Sequence, residues 1–228
     1  MTRLWPPRSS TLLVLLALSA AWTGACAQSA PPLVPPVEEM KTWNDSVTVA
    51  GQRYAVPEQW RGRRVGARNT PPPPDLVPLP AALRIAGDIP RLRMEAFLAL
   101  RAMAAEAALD SITLRVDSGY RSPDEQAALI AKRLAAGREF DEIVWGVAPP
   151  GYSEHMLGTT VDLALGGNYE HNPAYHWLKA NAANYGWRET YPPDSTGTFP
   201  WEPWHWRYVG VDELAAERAR AEGRQDDD

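Results

Sequence analysis

Two short segments of the chain carry residue types that can do hydrolytic chemistry together. The first is Gly151-Tyr152-Ser153-Glu154-His155-Met156-Leu157-Gly158-Thr159-Thr160-Val161-Asp162, the second Trp201-Glu202-Pro203-Trp204-His205-Trp206. Imidazole nitrogen and carboxylate oxygen both suit zinc, and a catalytic zinc site uses three protein ligands and leaves one position to water. His155, Asp162 and His205 are the candidate ligands. Two neutral imidazoles and one carboxylate leave the ion net positive, which helps bring the pKa of a bound water toward about 7. A base must stand near that water without taking a place on the metal, and Glu202, joined to His205 through the rigid Pro203, is the candidate. Glu154 competes for that role, but as the neighbour of His155 on extended backbone it is expected to point the other way. Spacing alone leaves plainer readings open: a satisfied polar histidine, an aspartate on a strand surface. His171 and His176 flank a helix start and read as capping or surface groups. A helical His-Glu-x-x-His pattern is absent from the sequence.

The elements that must position these groups can be read around them. Residues 91–109 form a helix, with Met94, Phe97, Leu98 and Ala104 near helical spacing. Ser111 to Asp117 alternates, Ile112, Leu114 and Val116 on one face, and reads as a half-buried strand. Ser122-Pro123-Asp124-Glu125 is a capping box with proline at the first helical position, so a helix begins there and runs to about Gly137. A loop follows, closing at Pro149-Pro150-Gly151. Thr159 to Leu165 is a second strand, Asn172-Pro173 opens a helix ending before Gly186, and His205 to Val209 is a third strand of aromatic and β-branched residues. Strands and helices intersperse without a regular β-α-β rhythm or a phosphate loop, which predicts an α+β fold with a central, mainly antiparallel sheet flanked by helices.

Composition sets the surroundings. Residues 1–27 read as a secretory signal: Arg3 and Arg8 precede an apolar stretch, Thr11 to Trp22, too short to span a bilayer. Its end has two readings. Ala25-Cys26-Ala27 fits an A-x-A cleavage site, and Thr23-Gly24-Ala25-Cys26 is a degraded lipobox that would put a lipid anchor on Cys26. The expectation is an exported protein of the periplasm or cell envelope. Cys26 is the only cysteine, so disulfides, thiolate ligands and a cysteine nucleophile are excluded from the domain. Residues 28–74 read as a proline-rich linker with a small hairpin turning at Gly51, residues 75–212 as the catalytic domain, and residues 213–228 as a polar helix fading into an acidic tail. A net charge of −5 without a basic run argues against a nucleic-acid partner. The ten tryptophans, several between Trp177 and Trp206, read first as core and second as the wall of a cleft.

The motifs resemble a known family. Ser153-x-His155 leading to Asp162, with Glu202-Pro203-Trp204-His205 downstream, is similar to the VanY-type D-alanyl-D-alanine carboxypeptidases, zinc peptidases sharing a fold with the zinc-binding domain of hedgehog proteins. Ser118-Gly119-Tyr120-Arg121-Ser122 followed by Gln126, Asp75-Leu76-Val77-Pro78-Leu79 and Tyr185-Gly186-Trp187 fit the same pattern, so the likeness runs over residues 75–210. It implies zinc on His155, Asp162 and His205 and a general base at Glu202. It also implies that Arg121 holds the substrate's terminal carboxylate, and that Ser153 and Gln126 belong to the substrate site. A guanidinium is independently the natural fork for a carboxylate. The implied activity is removal of a C-terminal D-amino acid from peptidoglycan stem peptides. The two alternatives are an L-alanyl-D-glutamate endopeptidase and a zinc-containing wall-binding module without catalysis. Met156-Leu157 stand where the family commonly has Gln-Thr, and Thr160 where it has Ala; neither departure removes a ligand.

Overall fold

The computed structural model describes residues 46–193 and 197–225. The signal segment, Cys26 and the proline-rich stretch before residue 46 lie outside them. Strands β1 (Ser46–Val49) and β2 (Gln52–Ala55) pair through a two-residue turn in which Ala50 and Gly51 both take positive φ, 50° and 79°, the geometry that matches strand twist and that glycine permits. Val47, Val49, Val56 and Trp60 are buried against Ile130, Phe140, Ile143, Val144, Tyr152 and Phe199. The Trp60 indole donates to the carbonyl of Val144 at 2.7 Å, and the amides of Val65 and Gly66 both donate to the carbonyl of Gly151. Residues 46–66, read from sequence as part of a linker, are therefore attached to the folded body. The segment docks through its buried side chains and through these backbone hydrogen bonds to Gly151.

Strands β3 (Leu76–Pro78) and β4 (Arg91–Arg93) form a second antiparallel pair. Helix α1 (Met94–Leu109) follows directly, burying Ala96, Leu100, Met103 and Ala107, one face at helical spacing. The strand expected over 111–117 enters a ladder only at β5 (Val116–Ser118), because Ser111 closes the helix with a φ of 62° and the chain is still leaving that turn. Helix α2 (Pro123–Ala135) starts with the reciprocal cap: the Ser122 hydroxyl accepts from the Glu125 amide, and the Glu125 carboxylate accepts from the Ser122 amide at 2.7 Å. The loop expected next contains helix α3 (Phe140–Gly146), which buries Phe140, Ile143 and Val144. Strand β6 (Thr160–Leu163), helix α4 (Pro173–Asn181, capped by the Asn172 side chain), strands β7 (Trp187–Glu189) and β8 (His205–Tyr208), and helix α5 (Val211–Gln225) complete the order.

The central sheet has the order β5-β6-β8-β7, every pair antiparallel; one isolated parallel bridge joins Arg84 to Val116. The α+β expectation holds. Val161 pairs with Trp206, and both are buried in the core with Leu163, Trp187 and residues of α1 and α4. Because side chains alternate along a strand, Asp162 and His205, the next register pair, project from the other face. Among the described residues no helix is long and apolar enough to cross a membrane.

Candidate metal centre

Sheet register does most of the positioning. Asp162 on β6 lies opposite His205 on β8 and opposite Ser118 on β5, so strand pairing alone brings a carboxylate beside an imidazole. His155 arrives from a single 3-10 turn, Glu154–Leu157, closed by Gly158 at a φ of 69°. A side chain at Gly158 would press on those of Leu76, at 2.9 Å, and Arg93, at 3.0 Å, and the left-handed backbone there favours glycine. His155 Nε2 stands 3.2 Å from Asp162 Oδ2, and His205 Nδ1 stands 3.1 Å from Asp162 Oδ1. One donor atom from each of the three residues lies within 4.8 Å of the others. The second nitrogens are also engaged. His155 Nδ1 donates to the Gly119 carbonyl at 2.7 Å, and His205 Nε2 donates to Glu154 Oε2 at 3.2 Å.

The electrostatics of this cluster ask for positive charge. Burial works against the Asp162 carboxylate, yet the imidazoles of His155 and His205 more than offset it and hold the group well below the usual carboxylate range. Burial also opposes a charged His205, but hydrogen bonds to Asp162 and Glu154 raise it to about 10. Two carboxylates flank His205, Asp162 at Nδ1 and Glu154 at Nε2. A divalent ion held by His155, Asp162 and His205 would supply the positive charge that these carboxylates favour. The donor set, two imidazoles and a carboxylate with their outer nitrogens capped, fits zinc.

Glu202 stands beside this cluster, Oε2 3.7 Å from His205 Nδ1. Its loop is held by the Glu202 amide on the Tyr191 carbonyl and the His205 amide on the Glu202 carbonyl. Burial raises its carboxyl to about 7, and the neighbouring charges of Asp162 and Glu154 add to this against the pull of His205 and Arg121. A carboxyl poised near neutrality in a cleft has the profile of a general base.

The cavity over the cluster holds about 200 Å³, with Arg121, Gln126, Ser153 and Glu202 in its wall. Arg121 donates to Ser118 Oγ at 2.7 Å and to Gln126 Oε1 at 3.0 Å, and its guanidinium ends 4.0 Å from Asp162. Gln126 is fully buried, its amide nitrogen given to the Ala148 carbonyl. Both of its ends are engaged by the protein, and from the cavity wall it holds the Arg121 guanidinium in place. His171 and His176 are exposed at the start of α4, apart from the cluster, as their flanking positions implied.

Two features escaped the sequence reading. Glu154 does not sit on extended backbone; the 3-10 turn swings its carboxylate to the far nitrogen of His205, where Arg207 and Thr190 also bind it. The left-handed Gly158 three residues after His155 was the local signal of so tight a turn. Trp60, from outside the matched motifs, and Trp145, half-exposed on α3, also line the cavity; nothing local in their sequence marks them.

The family model for VanY, D-alanyl-D-alanine carboxypeptidase, matches residues 90–211, more than half of the chain, and the chain belongs to the VanY family. It is similar to the D-alanyl-D-alanine carboxypeptidase of Enterococcus faecalis (strain ATCC 700802 / V583), 36% identical over 118 residues that make up 46% of this chain and 44% of that protein. It is also similar to the D-alanyl-D-alanine carboxypeptidase of Enterococcus faecium, 37% identical over 99 residues, 42% of this chain and 30% of that protein. The chain thus spans less than half the length of these curated relatives. Among solved structures, the LdcB LD-carboxypeptidase is 26% identical with a TM-score of 0.61, covering 78% of this chain and 90% of that one. The vancomycin resistance D,D-dipeptidase VanXYg, 22% identical with a TM-score of 0.56 over 71% of this chain and 64% of that one, shares the fold. That fold is the hedgehog/DD-peptidase fold.

Proposed function

We propose that the protein is an exported zinc carboxypeptidase that removes the C-terminal D-amino acid, D-alanine, from peptidoglycan stem peptides. The observation that carries the reading is the juxtaposition of Arg121 with the His155-Asp162-His205 cluster and Glu202 in one cavity. A fixed guanidinium is the partner of a free carboxylate, so a peptide bound there presents its last peptide bond, rather than an internal one, to the cluster. Relatives act in the same sense: the Enterococcus proteins are D-alanyl-D-alanine carboxypeptidases, and LdcB is an LD-carboxypeptidase whose structure concerns peptidoglycan recognition.

His155, Asp162 and His205 would hold the ion, which when bound supplies Lewis acidity toward the scissile carbonyl and acidifies a water. Glu202 takes the proton of the attacking water and passes it to the departing amine of the D-amino acid. Arg121, held by Ser118 and Gln126, pairs with the terminal carboxylate and sets the register of the peptide. Ser153, buried in the cavity wall, offers a hydroxyl to the peptide end. The aromatic wall of Trp60 and Tyr191 keeps bulk water away from the reacting bond.

The test is mass spectrometry of defined tetrapeptide and pentapeptide stems, free-acid and amidated, incubated with the protein with and without a chelator. Loss of one terminal residue from the free acids, abolished by the chelator, is expected. Cleavage of amidated and free peptides alike would point to an endopeptidase and overturn the reading.

A further inference from the structure

We infer that Glu154 is a positioning residue for the metal centre: through an Arg207–Glu154–His205 chain it fixes His205 with its proton on Nε2 and its lone pair on Nδ1. The inference rests on the zinc site proposed above and adds a residue to it.

Three observations carry it. The first is placement. Glu154 leads the 3-10 turn that delivers His155, and its own carbonyl accepts from Thr160 Oγ1 at 3.2 Å, so its backbone is tied to β6. Its carboxylate borders the cavity but is turned to the Nε2 side of the His205 ring, opposite the Nδ1 that faces Asp162. That position suits an outer partner and does not suit a base.

The second is restraint. Glu154 Oε2 receives His205 Nε2 at 3.2 Å and Thr190 Oγ1 at 2.8 Å, while Oε1 receives Arg207 Nη1 at 2.8 Å. Its side chain is 11% exposed. Arg207 lies two residues beyond His205 on β8 and so shares its face of the strand, and Thr190 directly follows β7, the neighbouring strand. The carboxylate is thus gripped by groups from the sheet that carries His205 itself, and its geometry moves with that of the ligand.

The third is contrast. The other histidine, His155, gives its outer nitrogen to a neutral backbone carbonyl. His205 gives its own to a charged group whose charge is balanced by Arg207. A carboxylate on the outer nitrogen fixes the tautomer and makes the inner nitrogen a better donor. The pairing therefore makes His205 the stronger of the two nitrogen ligands and the one whose orientation is most tightly set. An ion pair kept only for folding would have no reason to act on the metal.

The test uses the full chain stripped of metal, with zinc as the probe, its affinity measured by competition with a chromogenic chelator. Glu154→Gln keeps an oxygen within reach of Nε2 but loses the charge. Zinc affinity, measured on the folded protein, should fall about 10- to 100-fold, and the melting temperature of the metal-free protein should fall as well, because Arg207 loses its buried partner. Activity lost at limiting zinc should return at saturating zinc, which separates positioning from loss of a reacting group. Should that variant fail to fold, Thr190→Val removes one neutral hydrogen bond that aims Oε2, and its zinc affinity should fall about 2- to 10-fold. Variants that bind zinc within twofold of the wild type overturn the inference alone. A wild-type chain that takes up no zinc overturns both this inference and the proposed function.

Discussion

Replacing Glu202 by Gln should stabilise the metal-free protein while destroying its activity. The carboxyl is raised from an ordinary 4.5 to about 7, chiefly by burial. Its side chain is 17% exposed, so solvent screens the effect only in part. A carboxyl whose folded-state pKa is raised is easier to keep neutral in the fold than in the unfolded chain. The fold therefore carries no penalty below about pH 4.5, loses stability as the pH rises, and bears the full cost above about 7. At about 1.36 kcal/mol per pH unit that cost is about 3 kcal/mol. Glutamine fills the same space without the charge. In urea unfolding with a chelator present, the variant should exceed the wild type by about 2–3 kcal/mol at pH 8 and match it near pH 5. With zinc bound, the neighbouring cation makes the ionised carboxylate favourable, and the advantage should shrink. Turnover should fall by about 10²- to 10⁴-fold, the contribution of a general base, with zinc stoichiometry unchanged. A variant less stable than the wild type at pH 8 without metal would refute the electrostatic reasoning, and activity within tenfold would refute the assignment of the base.

Other expectations are narrower. Arg121→Ala should lower kcat/KM on free-acid stems by about 10- to 150-fold, through the loss of charge-assisted hydrogen bonds, and leave the slow cleavage of amidated stems nearly unchanged; equal losses on both would remove the carboxylate clamp. Trp60→Ala deletes a side chain that is packed edge-on against Phe199 and hydrogen-bonded to Val144, and should destabilise the fold by about 3–5 kcal/mol in chemical denaturation; a cost under about 1 kcal/mol would detach residues 46–66 from the folded body. In the zinc-loaded enzyme the ion draws the Glu202 carboxyl down from about 7, so kcat/KM should rise with pH through a midpoint below 7; a midpoint above 7 would contradict that pull.

Much of this centre was legible because its signals are local. The capping box at Ser122–Glu125 writes the start of α2 and with it the turn that holds Arg121, and both depend on neighbours within a few residues. The strand around Asp162 and the strand from His205 could each be read, but their register could not. That Asp162 faces His205, 43 positions away, follows from Val161 and Trp206 sharing the core, a decision made by packing. Helix α3 is seven residues long, too short to display a period, and is stabilised by burying Phe140, Ile143 and Val144 against the N-terminal hairpin. The hairpin at Gly51 is legible, but its docking is masked by the prolines around it, since the attachment runs through Trp60 and a few valines. Glu154 was misjudged because extended and 3-10 backbone send a neighbouring side chain to different places, and only the left-handed Gly158 hinted at the second. Gln126 reads with Arg121 as part of one motif, but its bond to the Ala148 carbonyl depends on packing 22 positions away that no local pattern shows.

The most direct test of the metal centre is X-ray absorption at the zinc edge on the purified, zinc-reconstituted protein, beside the His205→Ala variant. One ion per chain is expected, with two imidazole nitrogens and carboxylate and water oxygens at about 2.0–2.2 Å, and the variant should lose one imidazole from the shell along with most of its affinity. An unchanged shell in the variant, or a wild-type protein that emerges without metal and takes none up, would contradict the account at its root.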